Sequence, residues 1–245
     1  MSRATQVLVT GANRGIGRET ARQLALRGAA VWLGSRDPDR GMAVARELET
    51  EGVHVVPVTL DVTDEQSVYA VADRLRQGPG RLDVLINNAG TFVGADAIAT
   101  TAEQLRRIFE VNVFGVATVI RAMLDLLRAS AAPRVVNVSS STGSLGLTSD
   151  RGDLPGDASQ RLAYASSKAA LNMLTVQYGL AFGGDPELSH IKVNAATPGY
   201  TATDMNGFRG HRHVRDAARV IVELATLPDS GPTGGFFDDR GAVPW

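Results

Sequence analysis

A chain of 245 residues with 44% hydrophobic side chains can build one large α/β domain or two small ones, and its 5% aromatic share makes the core one of Val, Leu, Ile and Ala. The net charge of −1 supplies no general attraction to nucleic acid or to an anionic membrane surface, and the lack of cysteine excludes disulfides and thiolate chemistry. The N-terminal stretch lacks the basic, apolar and cleavage regions of a signal peptide, and no apolar run reaches the roughly 18 residues that span a bilayer, so a soluble cytoplasmic protein is expected.

Short apolar runs alternate with longer segments of helical periodicity, the rhythm of a parallel sheet with crossover helices. "QVLVT" (6–10) reads as a first strand, and a helix over 15–28 follows, ended by Gly28. After a strand over 29–35, Asp37 reads as an N-cap with Pro38 in the first helical position, opening a helix to about residue 50. The strand over 54–61 contains Pro57, which cannot donate to a ladder and points to an edge position. A helix over 64–77, a strand over 82–90, one long helix over 101–129 and a strand over 133–140 come next. A polar loop (141–160) leads to a helix over 162–182, a strand over 191–199, a helix over 213–226 and a short closing strand over 234–239. The strands are apolar throughout rather than alternating, which implies a sheet covered on both faces. No linker, repeat or composition shift divides residues 1–245, so one doubly wound α/β domain with about seven strands is expected.

"TGANRGIG" (10–17) falls between the first strand and the first helix, where such folds hold a dinucleotide's pyrophosphate. Gly11 permits a tight turn, Gly15 lets backbone approach the ligand, and Gly17 lets the helix pack closely on the sheet. The helix start offers free N–H groups to phosphate. The second strand ends "GSRD", so Ser35 and Arg36 precede the first acid, Asp37, which is spent as a helix cap. With Arg14 inside the glycine turn, two guanidinium groups suit the 2′-phosphate of NADP(H) better than the free ribose of NAD(H).

All but two of the 25 basic residues are arginines; the lysines are Lys168 and Lys192. Lys168 follows Tyr164 by one helical turn in "YASSK", which places both side chains on one face. A phenol with a pKa of about 10 is a sluggish acid near neutrality. An adjacent ammonium stabilises phenolate and brings the group toward useful acid–base chemistry. Taken alone, a Tyr-x-x-x-Lys pair is commonplace on amphipathic helices.

Together with "TGANRGIG", "NNAG" (87–90), "VNVSSSTG" (136–143) and "PGYTATD" (198–204), the pair gives the chain a resemblance to the short-chain dehydrogenase/reductase family over essentially its whole length, and to the carbonyl reductase-like branch in particular. The resemblance implies a single-domain Rossmann fold. It makes Tyr164 the general acid or base, and Lys168 the holder of the nicotinamide ribose that also lowers the Tyr164 pKa. Ser140, rather than its neighbours Ser139 and Ser141, would bond the substrate oxygen, and Asn112 would hold a water in a proton relay while bonding backbone at a helix bend. The cofactor would lie along Gly11, Asn13, Arg14, Gly15, Ile16 and Gly17, with Ser35 and Arg36 at the 2′-phosphate. Asp61, with Val62 behind it, would meet the adenine edge, although a strand-end Asp is more often a helix cap. Asn87 would support the central sheet, while Asn88, Ala89 and Gly90 would lie by the adenosine side. Pro198 and Gly199 would shape the nicotinamide pocket, with Thr201 or Thr203 on the carboxamide or phosphates.

Tyr164 comes unusually late after Ser140, because a polar insert over about 144–162 lengthens the intervening loop. The insert resembles, in shortened form, one that covers a helix face used for assembly in relatives, which leaves monomer and homo-oligomer both open. Residues 200–215 form the expected flap over a small-molecule substrate. His211 and His213 flank an arginine without a Cys or acidic cluster, so a solvated helix start is expected there and not a metal site. The implied activity is hydride transfer between NADP(H) and a carbonyl or secondary alcohol, the alternatives being an NAD-linked dehydrogenase and a non-catalytic dinucleotide sensor.

Overall fold

The computed structural model describes residues 4–150, 154 and 158–245. Its N-terminal half alternates β1 (Gln6–Val9), α1 (Gly15–Leu26), β2 (Ala30–Ser35), α2 (Pro38–Thr50), β3 (Val55–Thr59), α3 (Glu65–Gln77) and β4 (Val84–Asn87). Helices α4 (Ala102–Phe109) and α5 (Gly115–Arg128) are joined by a π-helical turn over Glu110–Phe114, and β5 (Arg134–Val138) follows. A short α6 (Leu145–Ser149) precedes α7 (Leu162–Gly184), β6 (Lys192–Ala196), α8 (Val214–Ala225), β7 (Phe236–Asp238) and β8 (Gly241–Ala242).

The strands form one sheet in the order β3-β2-β1-β4-β5-β6-β7-β8, parallel except for the antiparallel β7–β8 pair. Successive strand residues supply opposite layers of core. In β1, Leu8 joins a cluster that includes Val68, Leu75, Ile120 and Leu127 from α3 and α5. Its neighbours Val7 and Val9 join Ala21 and Leu24 of α1 and Ile221 of α8 on the other face. Both faces are therefore covered, as the apolar strands imply.

Pro57 sits in β3, which pairs only with β2 at the sheet edge, so its missing N–H costs no ladder bond. Asp37 caps α2, its Oδ1 accepting from the N–H groups of Asp39 and Arg40 at 3.1 Å each. Three expectations need correction. The segment 101–129 is two helices around the π-helical turn, the 141–160 loop contains α6, and an eighth strand closes the sheet. Strands expected over 82–90, 133–140 and 191–199 end earlier, because "NAG" (88–90), "SSST" and "TPG" leave the sheet to build the loops above it. Residues 151–153 and 155–157 of the insert lie outside the described residues. Among the described residues no helix is long and apolar enough to cross a membrane.

Candidate active site

The carboxyl ends of β1, β4, β5 and β6 open onto a cavity of about 320 Å³. It is lined by Ile16, Asn88, Gly90, Ser140, Tyr164, Lys168, Pro198, Gly199, Thr201 and Thr203, which the sequence singles out. Phe92, Gln160, Arg161, Tyr200, Met205 and Arg209 are among the other residues of the wall. Of these, Tyr200 falls in "PGYTATD", Met205 and Arg209 in the expected flap and Gln160 and Arg161 in the expected insert, while Phe92 follows "NNAG" by two residues.

Helix α7 carries Tyr164 and Lys168 one turn apart. Lys168 is 4% exposed and its Nζ donates to the Val138 carbonyl at 2.8 Å, so the ammonium is tied to the end of β5. The same Nζ lies 5.6 Å from the Tyr164 ring centroid. Burial pulls the Lys168 pKa down to about 8. Tyr164 is half-buried, with Phe92 in a T-shaped contact at 5.4 Å between ring centroids, and desolvation pushes its pKa up to about 12. The opposing influence is a hydrogen bond with the Ser140 side chain. The implied lowering of the Tyr164 pKa by Lys168 is thus not what this arrangement produces: the phenol is raised by desolvation, and the ammonium donates to the Val138 carbonyl.

The three adjacent serines separate by their bonds. Ser139 is buried and donates to Asn172 Oδ1 at 2.6 Å, and the Ser141 backbone N–H donates to Thr197 Oγ1 at 3.0 Å. Ser140 instead caps the turn over Ser141–Gly143 and lies 2.9 Å from Thr142 Oγ1; all three serines line the cavity. Asn112 sits fully buried in the π-helical turn. Its Oδ1 accepts from Thr91 N–H at 2.8 Å, while its Nδ2 donates to the Thr91 carbonyl and to Ser167 Oγ at 3.0 Å each. Ser167 Oγ passes the link on to the Tyr164 carbonyl at 2.7 Å. Asn112 therefore clamps the backbone after "NNAG" to the helix that carries Tyr164.

The glycine turn fits a dinucleotide. Gly11 has φ +60°, and a Cβ there would stand 2.8 Å from Ala89 Cα; at Gly17 it would stand 2.3 Å from Asn88 Nδ2. Asn88 Nδ2 donates to the Thr10 and Gly11 carbonyls at 2.9 Å each, binding the turn to the end of β4. Helix α1 starts without a side-chain cap, so its first N–H groups stay open to phosphate. Asn13 lies in that turn. Ser35 donates to the Asp37 carbonyl at 2.7 Å, and Arg36 is exposed with no ion pair among the described residues. Arg14 is ion-paired with Asp204 of the flap. Asp61 accepts from the N–H and hydroxyl of Thr63, a local turn, and Asp64 is the cap of α3. Val62 is a core residue packed where α5 begins at Gly115. Asn87 donates to Asn137 Oδ1 at 2.9 Å across the central sheet. Thr201 Oγ1 is turned back onto the Gly199 carbonyl at 3.1 Å, whereas Thr203 reaches the glycine turn. His213 Nδ1 caps α8, and His211 lies against Tyr200 at 6.1 Å. Among the described residues no group of three metal-ligating side chains forms.

A sheet covered on both faces, with a glycine turn, an open helix start and a Ser–Tyr–Lys cluster at its carboxyl edge, is the arrangement of Rossmann-type α/β proteins. Residues 5–213 match the short chain dehydrogenase family, and the chain belongs to it. It is 36% identical to the short-chain dehydrogenase AnuI of Penicillium roqueforti, covering 90% of this chain and 88% of that one. It is 32% identical to salutaridine reductase of Papaver bracteatum, covering 94% and 93% respectively. The structure of NADPH-bound carbonyl reductase from chicken fatty liver superposes with a TM-score of 0.84, at 28% identity and full coverage of both chains. The protein is accordingly an oxidoreductase of the short-chain dehydrogenase type.

Proposed function

We propose that this enzyme interconverts a carbonyl compound and its secondary alcohol with NADP(H), using Tyr164 as the proton donor or acceptor. The observation that carries the reading is the meeting of the Ser140 and Tyr164 hydroxyls on one cavity wall, with Lys168 behind them and Asn112 clamping the helix in place. Bound, the nicotinamide supplies or accepts the hydride. The turn from Gly11 to Gly17 and the start of α1 hold its pyrophosphate, Gly90, Lys168, Pro198 and Gly199 its nicotinamide end, and Arg36 with Arg14 the 2′-phosphate.

A substrate oxygen seated between Ser140 and Tyr164 receives two hydrogen bonds as negative charge builds on it. Tyr164, protonated at neutral pH, then delivers its proton to the alkoxide that forms on that oxygen, a stronger base than phenolate. The preference for NADP(H) is supported by Asp37, whose carboxylate is occupied with the α2 start instead of a ribose, and by the NADPH-bound relative. A non-catalytic sensor would have no use for a desolvated phenol bonded to a serine.

An NADPH-oxidation screen over aldehydes, ketones and quinones tests the reading, with Tyr164→Phe as control. Removing the phenolic proton is expected to lower turnover by about 10²- to 10⁴-fold. Turnover surviving that substitution would exclude Tyr164 as the acid.

A further inference from the structure

Arg14 projects from the glycine turn and is 56% exposed, yet it is engaged: its guanidinium is paired with Asp204. That carboxylate is presented by a built loop. Asn206 holds the flap turn from within, its Nδ2 donating to the Thr201 carbonyl at 2.9 Å and its Oδ1 accepting from Thr203 N–H at 3.3 Å. The Phe208 N–H donates to the Thr203 carbonyl at 2.8 Å, and a bridge between Thr201 and Arg212 closes the base. The loop also rests on the glycine turn itself, where a Cβ on Gly15 would stand 3.4 Å from Thr203 Cγ2. Asp204 is therefore a fixed negative charge beside one of the two guanidinium groups available to a 2′-phosphate.

We infer that Asp204 sets the enzyme's discrimination between NADP(H) and NAD(H) by competing with the 2′-phosphate for Arg14. The inference rests on the NADP(H) reading above. A guanidinium spent on a carboxylate is withheld from a phosphate, and a phosphate that recruits it leaves Asp204 unpaired beside a second anion. That cost falls only on a cofactor that carries the 2′-phosphate; NADH leaves the Arg14–Asp204 pair intact. Asp204 thus lowers the affinity for NADPH selectively. The second guanidinium, Arg36, makes no ion pair among the described residues and has no such competitor.

The test is fluorescence titration of the whole protein with NADPH and NADH, and displacement by 2′,5′-ADP and 5′-AMP, which differ only in the 2′-phosphate. Asp204→Asn is expected to tighten NADPH and 2′,5′-ADP by about three- to fivefold, the scale of an exposed ion pair, while NADH and 5′-AMP keep their affinity. In an Arg14→Leu background the same substitution is expected to change neither class. Asp204→Glu keeps the competing charge and the wild-type NADPH/NADH ratio. Weaker NADPH binding in Asp204→Asn would mean that the carboxylate orients Arg14 for the phosphate, which overturns the inference. An equal shift for NADPH and NADH, no shift for either, or a changed ratio in Asp204→Glu overturns it as well. Should the wild-type protein bind 2′,5′-ADP no more tightly than 5′-AMP, the NADP(H) reading itself fails and takes the inference with it.

Discussion

Lys168 brings its ammonium into the interior with a single backbone carbonyl as a partner, and the cost of that burial sets its titration. Its pKa of about 8, below the ordinary 10.5, leaves it charged at neutral pH and neutral in mild base. Tyr164, at about 12, keeps its proton over the same range. In the proposed mechanism, carbonyl reduction therefore retains its acid as pH rises but loses the adjacent cation. We expect kcat/KM for reduction to be level below pH 8 and to fall through about pH 8 with the slope of one proton. In Lys168→Arg, whose guanidinium stays charged, absolute activity drops but that falling limb vanishes. A limb that stays put in this variant would assign it to another group. Stability responds with the opposite sign. Between pH 8 and 10.5 the unfolded lysine holds a proton that the folded one has released, so this group's contribution to stability grows with pH there. Tyr164 opposes it above pH 10, where the folded phenol keeps a proton that the unfolded one sheds.

At the scale of elements, the order of strands and helices was legible because each crossover unit carries its own periodicity, glycine stop or capping acid, as at Gly28 and Asp37. The π-helical turn was not. "EVNVF" reads locally as helix, and what selects the extra residue is the set of bonds that Asn112 makes to Thr91 and Ser167, distant in sequence. Strand lengths were over-read for a related reason: the polar motif residues continue an apolar run in sequence but turn away at the sheet edge. The proposed catalytic cluster was visible through motifs, whereas the Phe92 contact and the Arg14–Asp204 pair depend on tertiary approach alone. One such approach joins two elements of the site. The turn over Ser141–Gly143 packs so closely on α7 that a Cβ on Gly143 would stand 2.7 Å from the Lys168 carbonyl carbon and 2.9 Å from Ala169 N. Neither atom can yield without moving the helix. Gly143→Ala is expected to cost about 1–3 kcal/mol of stability. It is also expected to depress kcat more than cofactor affinity, since Ser140 and Tyr164 sit on opposite sides of the forced contact. Denaturant unfolding and steady-state kinetics check both; wild-type values would show that the two elements separate freely.

Over the whole molecule, the strand order reverses between β1 and β4, the switch point at which the proposed cofactor site opens, with the proposed substrate end toward β5 and β6. The far edge of the sheet is tied back to the site by the C-terminal residues. Trp245 stacks on Phe236 of β7 at 5.4 Å with an interplanar angle of 16°, and its carbonyl accepts from Gly146 N–H at 2.8 Å. The Ser144 hydroxyl accepts from Leu147 N–H at 3.0 Å, so the short helix α6 is held at its first turn by a cap and by the tail of the chain. A five-residue helix is far below the length that is stable by itself, and its position beside the Ser140 turn depends on those anchors. Trp245→Ala removes a ring that is 38% exposed, keeping its backbone carbonyl but loosening the tail that presents it. We expect a loss of about 1–2 kcal/mol, or about 2–8 °C in Tm for a chain of this size, measured by calorimetry. The kinetic signature is more specific: KM for the carbonyl substrate rises as α6 loosens, while NADPH affinity, set at the opposite end of the crevice, stays at the wild-type value. A parallel loss of cofactor affinity would mean that the tail supports the sheet as a whole, and an unchanged KM would mean that α6 holds its place without it.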